Sequence, residues 1–156
     1  MLSISKVYSI DCAHQLPNHN GKCARLHGHT YAVSVVVAGK PVTLKGSPQA
    51  GMVLDYDLLD RAVKPLMDAM DHRFLAWGTE TSILEVLPPD NIYWVGERTT
   101  AENLSLHIAR KVINPLLNAF EVVNSKLERL EVGVRETPKT LAVCTFIEKD
   151  GIYVPD

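Results

Sequence analysis

No run of apolar residues in this chain approaches the roughly 18 that a membrane-spanning helix needs. The opening MLSISKVYSID is too polar for a secretion signal. Charge of one sign is lacking too: 16 Lys and Arg stand against 18 Asp and Glu, a formal net charge of −2, with the two signs interspersed. Without a basic block or stripe, the chain lacks the electrostatic footprint of a nucleic-acid or anionic-membrane binder. Cysteine is scarce. Cys12, Cys23 and Cys144 are odd in number and irregular in spacing, which argues against a disulfide framework and makes a reducing cytoplasm the expected setting. Repeats and low-complexity tracts are absent. The 156 residues suffice for one domain, spanning 1–156, with a real core.

What is present is hydrophobic periodicity of two kinds. ISKVYSID (4–11) puts Ile4, Tyr8 and Ile10 on one parity and predicts a strand. NHNGKCARLHG (18–28) is polar and glycine-punctuated, the mark of a loop. HTYAVSVVVAG (29–39) aligns Tyr31, Val33, Val35 and Val37 on one face of a second strand. Helical rows follow in DYDLLDRAVKPLMDAM (55–70), where Asp55 or Asp57 can cap the start and Pro65 removes one backbone donor. A second amphipathic helix is predicted over 99–120, with Leu104, Ile108, Val112 and Leu116 in one row. Between the helices, 76–98 has no clear period and reads as a long connection with one short strand. KLERLEVGVRET and TLAVCTFIEK complete the chain as two strands joined by a turn near Pro138. The expected class is α+β: a four-stranded antiparallel sheet in the order ββααββ, with both helices on one face. Its two edges must be paired or blunted, so edge-to-edge assembly is physically plausible.

The polar residues carry the chemistry. His27 and His29 stand at i and i+2 at the start of a strand, so their side chains share a face with Cα atoms roughly 6.5 Å apart. Two such imidazoles can converge on one Zn²⁺, and His14, just after the first strand, comes within reach if strands one and two form a hairpin. Three histidines would leave a fourth position open. The plainer alternative is that H-x-H is a coincidence in a polar loop. Cys23 is either a fourth ligand that closes a structural site or a thiol held beside a cation that favours its thiolate. Asp71 next to His72 can form a carboxylate–imidazole pair, or can simply decorate a helix C-terminus. TTAEN (99–103) is a T-x-x-E capping box that accounts for Thr99 and Glu102 without any substrate. Glu136, at the end of the third strand, is an ordinary solvated residue unless it lines a pocket, where it could accept two parallel N–H bonds.

Taken together, His14, CARLHGH, Asp71-His72, TTAEN and Glu136 resemble, in order and over nearly the whole chain, the family of 6-pyruvoyl-tetrahydropterin synthase and its bacterial relative, 6-carboxy-tetrahydropterin synthase of queuosine biosynthesis. The resemblance implies the tunnelling fold, whose subunits join sheets edge to edge into a β-barrel, usually as a homohexamer with sites between subunits. It implies zinc on His14, His27 and His29, and Cys23 as general base with Asp71 and His72 as its acid–base partners. It also implies Glu136 as anchor of the pterin ring. Thr100, and with it Glu102, stands at the helix start as a substrate-binding candidate. The implied substrate is 7,8-dihydroneopterin triphosphate. Three residues between Cys23 and HGH, rather than a longer gap, point to the 6-carboxy branch. The 6-pyruvoyl activity and a non-catalytic zinc-stabilised module are the alternatives. Arg73 after the D-H pair, Ala76 and the long 76–98 connection depart from the family pattern on the side of the substrate's phosphates.

Overall fold

Strand β1 (Leu2–His14) buries one parity, Tyr8, Ile10, Cys12 and His14, and leaves Ser5, Val7, Ser9 and Asp11 on the other side. It pairs antiparallel with β2 (His27–Gly39), whose Tyr31, Val33, Val35 and Val37 fall on the same buried face. Both strands are longer than their hydrophobic parity suggested. His14 is the last residue of β1 rather than a residue after it, and His27 opens β2. A polar residue paired across a ladder keeps strand geometry whatever its hydropathy.

The computed structural model describes residues 1–78 and 80–156, and the backbone alone at 81. Helix α1 (Tyr56–Met70) starts at the N-cap Asp55, whose Oδ1 accepts from Asp57 N at 2.8 Å. Pro65 lies inside it on an exposed position, so the carbonyl it leaves unpaired faces water and the helix continues. Strands β5 (Leu127–Arg135) and β6 (Ala142–Lys149) extend the antiparallel ladder from β2.

The four expected strands are therefore present, but among the described residues the sheet has seven, ordered β4-β3-β1-β2-β5-β6-β7. The additions are β3 (Phe74–Ala76), β4 (Ile92–Trp94) and β7 (Ile152–Pro155). Strands β3 and β4 run parallel to β1 and to each other, so the sheet is mixed. The 76–98 connection supplies β4 and a short helix α2 (Thr81–Leu84); its residue 79 lies outside the described residues. Three-residue strands carry no period of their own and form only because β1 offers an edge.

Helix α3 (Ala101–Val122) buries Leu104, Ile108, Val112, Leu116 and Phe120 and packs on β5, β6 and α1. Its N-cap is Thr100, whose Oγ1 accepts from Asn103 N at 3.4 Å, one residue later than a T-x-x-E box on Thr99 requires. Thr99 is thereby freed from capping and is fully buried. Among the described residues no helix is long and apolar enough to cross a membrane.

Candidate metal centre and active site

The β1–β2 register sets the candidate centre. His14 lies directly across from His27, and Cys12 across from His29. The three rings therefore gather at one end of the hairpin, with centroids 4.5 Å (His14–His27), 5.2 Å (His14–His29) and 4.9 Å (His27–His29) apart. His14 Nδ1 donates to the Thr99 carbonyl at 2.9 Å, and His27 Nδ1 donates to the Arg25 carbonyl at 2.7 Å. A carbonyl only accepts, so Nδ1 carries a proton in both rings and Nε2 is the atom turned toward the centre. Those two Nε2 atoms face each other at 3.0 Å. His29 Nε2 is buried without a partner. Burial holds the His14 imidazole neutral by pushing its pKa down to about 4, and burial likewise lowers His29. The ligand atoms that the three rings offer all lie within 4.8 Å of one another. A tetrahedral ion with bonds of 2.0–2.1 Å would set its ligands about 3.4 Å apart, near the 3.0 Å between the Nε2 atoms of His14 and His27. The donor set fits a metal.

Cys23 is not part of that ligand group. It sits half-buried in a 3₁₀ turn (Lys22–Ala24), and its carbonyl accepts from Leu16 N at 2.9 Å, tying the loop to the end of β1. Glu136 directly follows β5 and is half-buried; its carboxylate and backbone both act on the His29 ring. Tyr31 joins them. Its hydroxyl is buried without a partner and its pKa is pushed up by burial first, then by the negative charge of Glu136. The Tyr31 ring lies 5.3 Å from the His29 ring, and Glu136 acts on both, so these three stand together at the candidate metal centre. Cys12, by contrast, donates to Met70 O at 3.2 Å, and burial pushes its thiol up to about 12.

Asp71 and His72 pair as expected, at 2.8 Å between Asp71 Oδ2 and His72 Nδ1. Adjacent side chains face each other here because His72 takes a left-handed backbone, φ 58°. The pair is bolted to β1: Asp71 Oδ1 accepts from Asp11 N at 2.7 Å, and His72 N donates to Asp11 O at 2.7 Å. Asp11 Oδ1 in turn accepts from Thr30 Oγ1 at 2.5 Å. The Asp11 N–H above all, then the His72 ring, hold the Asp71 carboxyl below its ordinary range, while the bond to Asp71 raises His72. Among the described residues no hydrogen bond or ion pair links this pair to Cys23 or to the three histidines.

Thr100 serves as the α3 cap, and Glu102, exposed in its first turn, lines a surface groove with Ser105, Cys144 and Asp156. Neither belongs to the histidine group. The sequence reading missed the roles of Thr99, Arg25 and Asp11, whose backbone groups hold His14, His27 and the Asp71–His72 pair and leave no side-chain signature. It also missed Tyr31 as a polar group, because its parity marks it as core.

The sequence pattern of the 6-pyruvoyl tetrahydropterin synthase family matches residues 3–146. A protein named 6-carboxy-5,6,7,8-tetrahydropterin synthase from Haemophilus influenzae is 40% identical over 154 residues, covering 95% of this chain and all of the relative. One of the same name from Synechocystis is 43% identical over 76 residues, 48% of this chain and 58% of the relative. Among solved structures, 6-pyruvoyl tetrahydropterin synthase of Plasmodium falciparum superposes with a TM-score of 0.74 at 21% identity, covering 94% of this chain and 98% of that one, a likeness of fold.

Proposed function

Since the chain belongs to the 6-pyruvoyl tetrahydropterin synthase family, we propose that it is a 6-carboxy-5,6,7,8-tetrahydropterin synthase of queuosine biosynthesis. It converts 7,8-dihydroneopterin triphosphate to 6-carboxytetrahydropterin, acetaldehyde and triphosphate. The observation that carries this reading is the convergence of the His14, His27 and His29 rings at one end of the β1–β2 hairpin, with Glu136 acting on His29. The three-residue gap between Cys23 and HGH and the full-length Haemophilus influenzae relative favour the 6-carboxy branch.

We assign zinc to His14, His27 and His29, because three neutral imidazoles with an open fourth position are a catalytic zinc donor set. When bound, the ion supplies Lewis acidity toward the oxygens of the substrate side chain. A non-catalytic zinc module would need Cys23 as fourth ligand, and Cys23 lies outside the ligand group. Glu136 binds the pterin edge through paired hydrogen bonds, and Thr100 and Glu102 are assigned to the substrate on the helix start shared with the family. Cys23 removes a proton from the substrate side chain. His72, with its Nδ1 held by Asp71, offers Nε2 for proton transfer.

Among the described residues no hydrogen bond or ion pair joins Cys23 to the Asp71–His72 pair, which supports a site completed by a neighbouring subunit. The assembly we propose is a homohexamer, a dimer of trimers, built from single domains spanning 1–156 whose sheet edges join into a barrel, in the cytoplasm. The test is incubation of the zinc-loaded protein with dihydroneopterin triphosphate. Acetaldehyde and 6-carboxytetrahydropterin in equal amounts are expected. A 6-pyruvoyl product without acetaldehyde would move the chain to the other branch.

A further inference from the structure

A cavity of about 550 Å³ opens at the edge of β1, on the Asp71–His72 side, within the size range of small-molecule sites. Its apolar wall includes Phe74 and Leu87, and its polar rim carries Asp11, His72, Arg73 and Asn91. Arg73 is the unusual member. Arg98, Arg110, Arg129 and Arg135 each donate to an oxygen. Arg25 and Arg61 are exposed to water. Among the described residues, Arg73 alone is a half-buried arginine whose guanidinium makes no hydrogen bond or ion pair. A partly desolvated cation without a counter-charge costs free energy unless a ligand supplies one.

The position is also rigid. Ala13 N donates to Arg73 O at 3.1 Å, His72 N is held by Asp11, and Phe74 pairs with Ala13 in the sheet. The guanidinium is thus carried on a fixed edge next to the imidazole that the proposed chemistry uses. Asp11 is the one acid at the rim, and its Oδ1 is occupied by Thr30. The Arg73 fork, the His72 ring and the Asn91 amide offer donors, and Thr30 and the candidate metal ligand His29 also line the cavity.

We propose that this cavity is a polyphosphate subsite, with Arg73 as its principal anion contact, and that it receives the triphosphate of the substrate. The planar guanidinium fork matches phosphate oxygens in pairs. The assignment deepens, and rests on, the reading of the chain as an enzyme of a pterin triphosphate. It explains the departure at residue 73: a cation set beside the reacting histidine holds the leaving group where it departs.

The test is calorimetric titration of the zinc-loaded full chain with inorganic tripolyphosphate, with zinc content assayed before and after. Wild type is expected to bind it. R73A should bind at least tenfold more weakly, and R73K should fall between them, keeping the charge and losing the fork. Zinc content and the affinity for neopterin, which has no phosphate, should be unchanged in both. Wild-type affinity in R73A, no uptake of tripolyphosphate by wild type, or a parallel loss of neopterin binding in R73A would each overturn the subsite. The product assay on wild type reports separately on the reaction itself.

Discussion

Cys23 and the histidines are separated by what each loses on truncation. His27→Ala or His29→Ala removes one of three nitrogens already brought within 4.8 Å, so zinc content measured by metal analysis should drop sharply. Cys23→Ala should keep zinc and fold while turnover falls about 10²-fold or more, the usual worth of a positioned base. Loss of zinc from Cys23→Ala would mark a structural ligand instead. Glu136→Gln replaces one acceptor by a donor against a ring N–H. The lost charge-assisted bond is worth about 1.5–3 kcal/mol, so affinity for substrate and for bare neopterin should fall at least tenfold with zinc unchanged. The Asp71–His72 pair sets a pH window. His72 is raised above 6.5 by its bond to Asp71, so its contribution to stability is present below 6.5 and is lost as pH rises through the raised value. Asp71 is lowered below 3.8, chiefly by Asp11 N–H, so its contribution is present above 3.8 and is lost as pH falls through the lowered value. Asp71→Asn should bring the His72 titration, followed by NMR, down toward 6.5 and lower kcat/KM. An unmoved midpoint would mean the pair does not tune the ring.

At the scale of elements, the β1–β2 hairpin is the frame of the centre, and Gly28 is a close approach between its two strands. A Cβ at Gly28 would meet Cys12 O at 3.1 Å, between His27 and His29. Gly28→Ala must therefore shift the ladder by a few tenths of an ångström just where three nitrogens converge. Zinc affinity should weaken, while the thermal transition moves little, because the core of the hairpin at Tyr31 to Val37 is untouched. Equal zinc affinity in Gly28→Ala would show that the loop, not the hairpin, sets the ligand spacing. The start of α3 has a second task of this kind. With Thr100 as cap, Thr99 turns inward and its carbonyl fixes the His14 tautomer across 85 positions of sequence.

For the whole molecule, the seven-stranded sheet ends in two short edges, β4 and β7. On the face away from the helices small side chains meet across the central strands, Ser9 opposite Ala32 and Ser34 opposite Gly133, with Glu131 and Arg135 beside them. If sites form between subunits, two dead variants should rescue each other. Mixed assemblies of Cys23→Ala and His72→Ala chains, refolded together in equal amounts, should regain about a quarter of wild-type activity, since random assortment restores both residues at one site in four. No activity in a verified mixed assembly would confine each site to one chain.

Local sequence determined the two long strands, the two long helices and their buried faces, because periods of 2 and 3.6 repeat within a single element. It also determined that His27 and His29 share a side, and it marked Asp71, His72 and Glu136 as candidates. Tertiary structure decided the rest. His14 meets His27 through the β1–β2 register, and Thr99 reaches His14 only because α3 packs on the sheet. Strands β3 and β4 exist only as parallel neighbours of β1, and Asp71 faces His72 only because the turn adopts a left-handed backbone against Asp11. Periodicity is written within a few residues of itself, whereas registers, tautomers and unpaired charges depend on partners far along the chain.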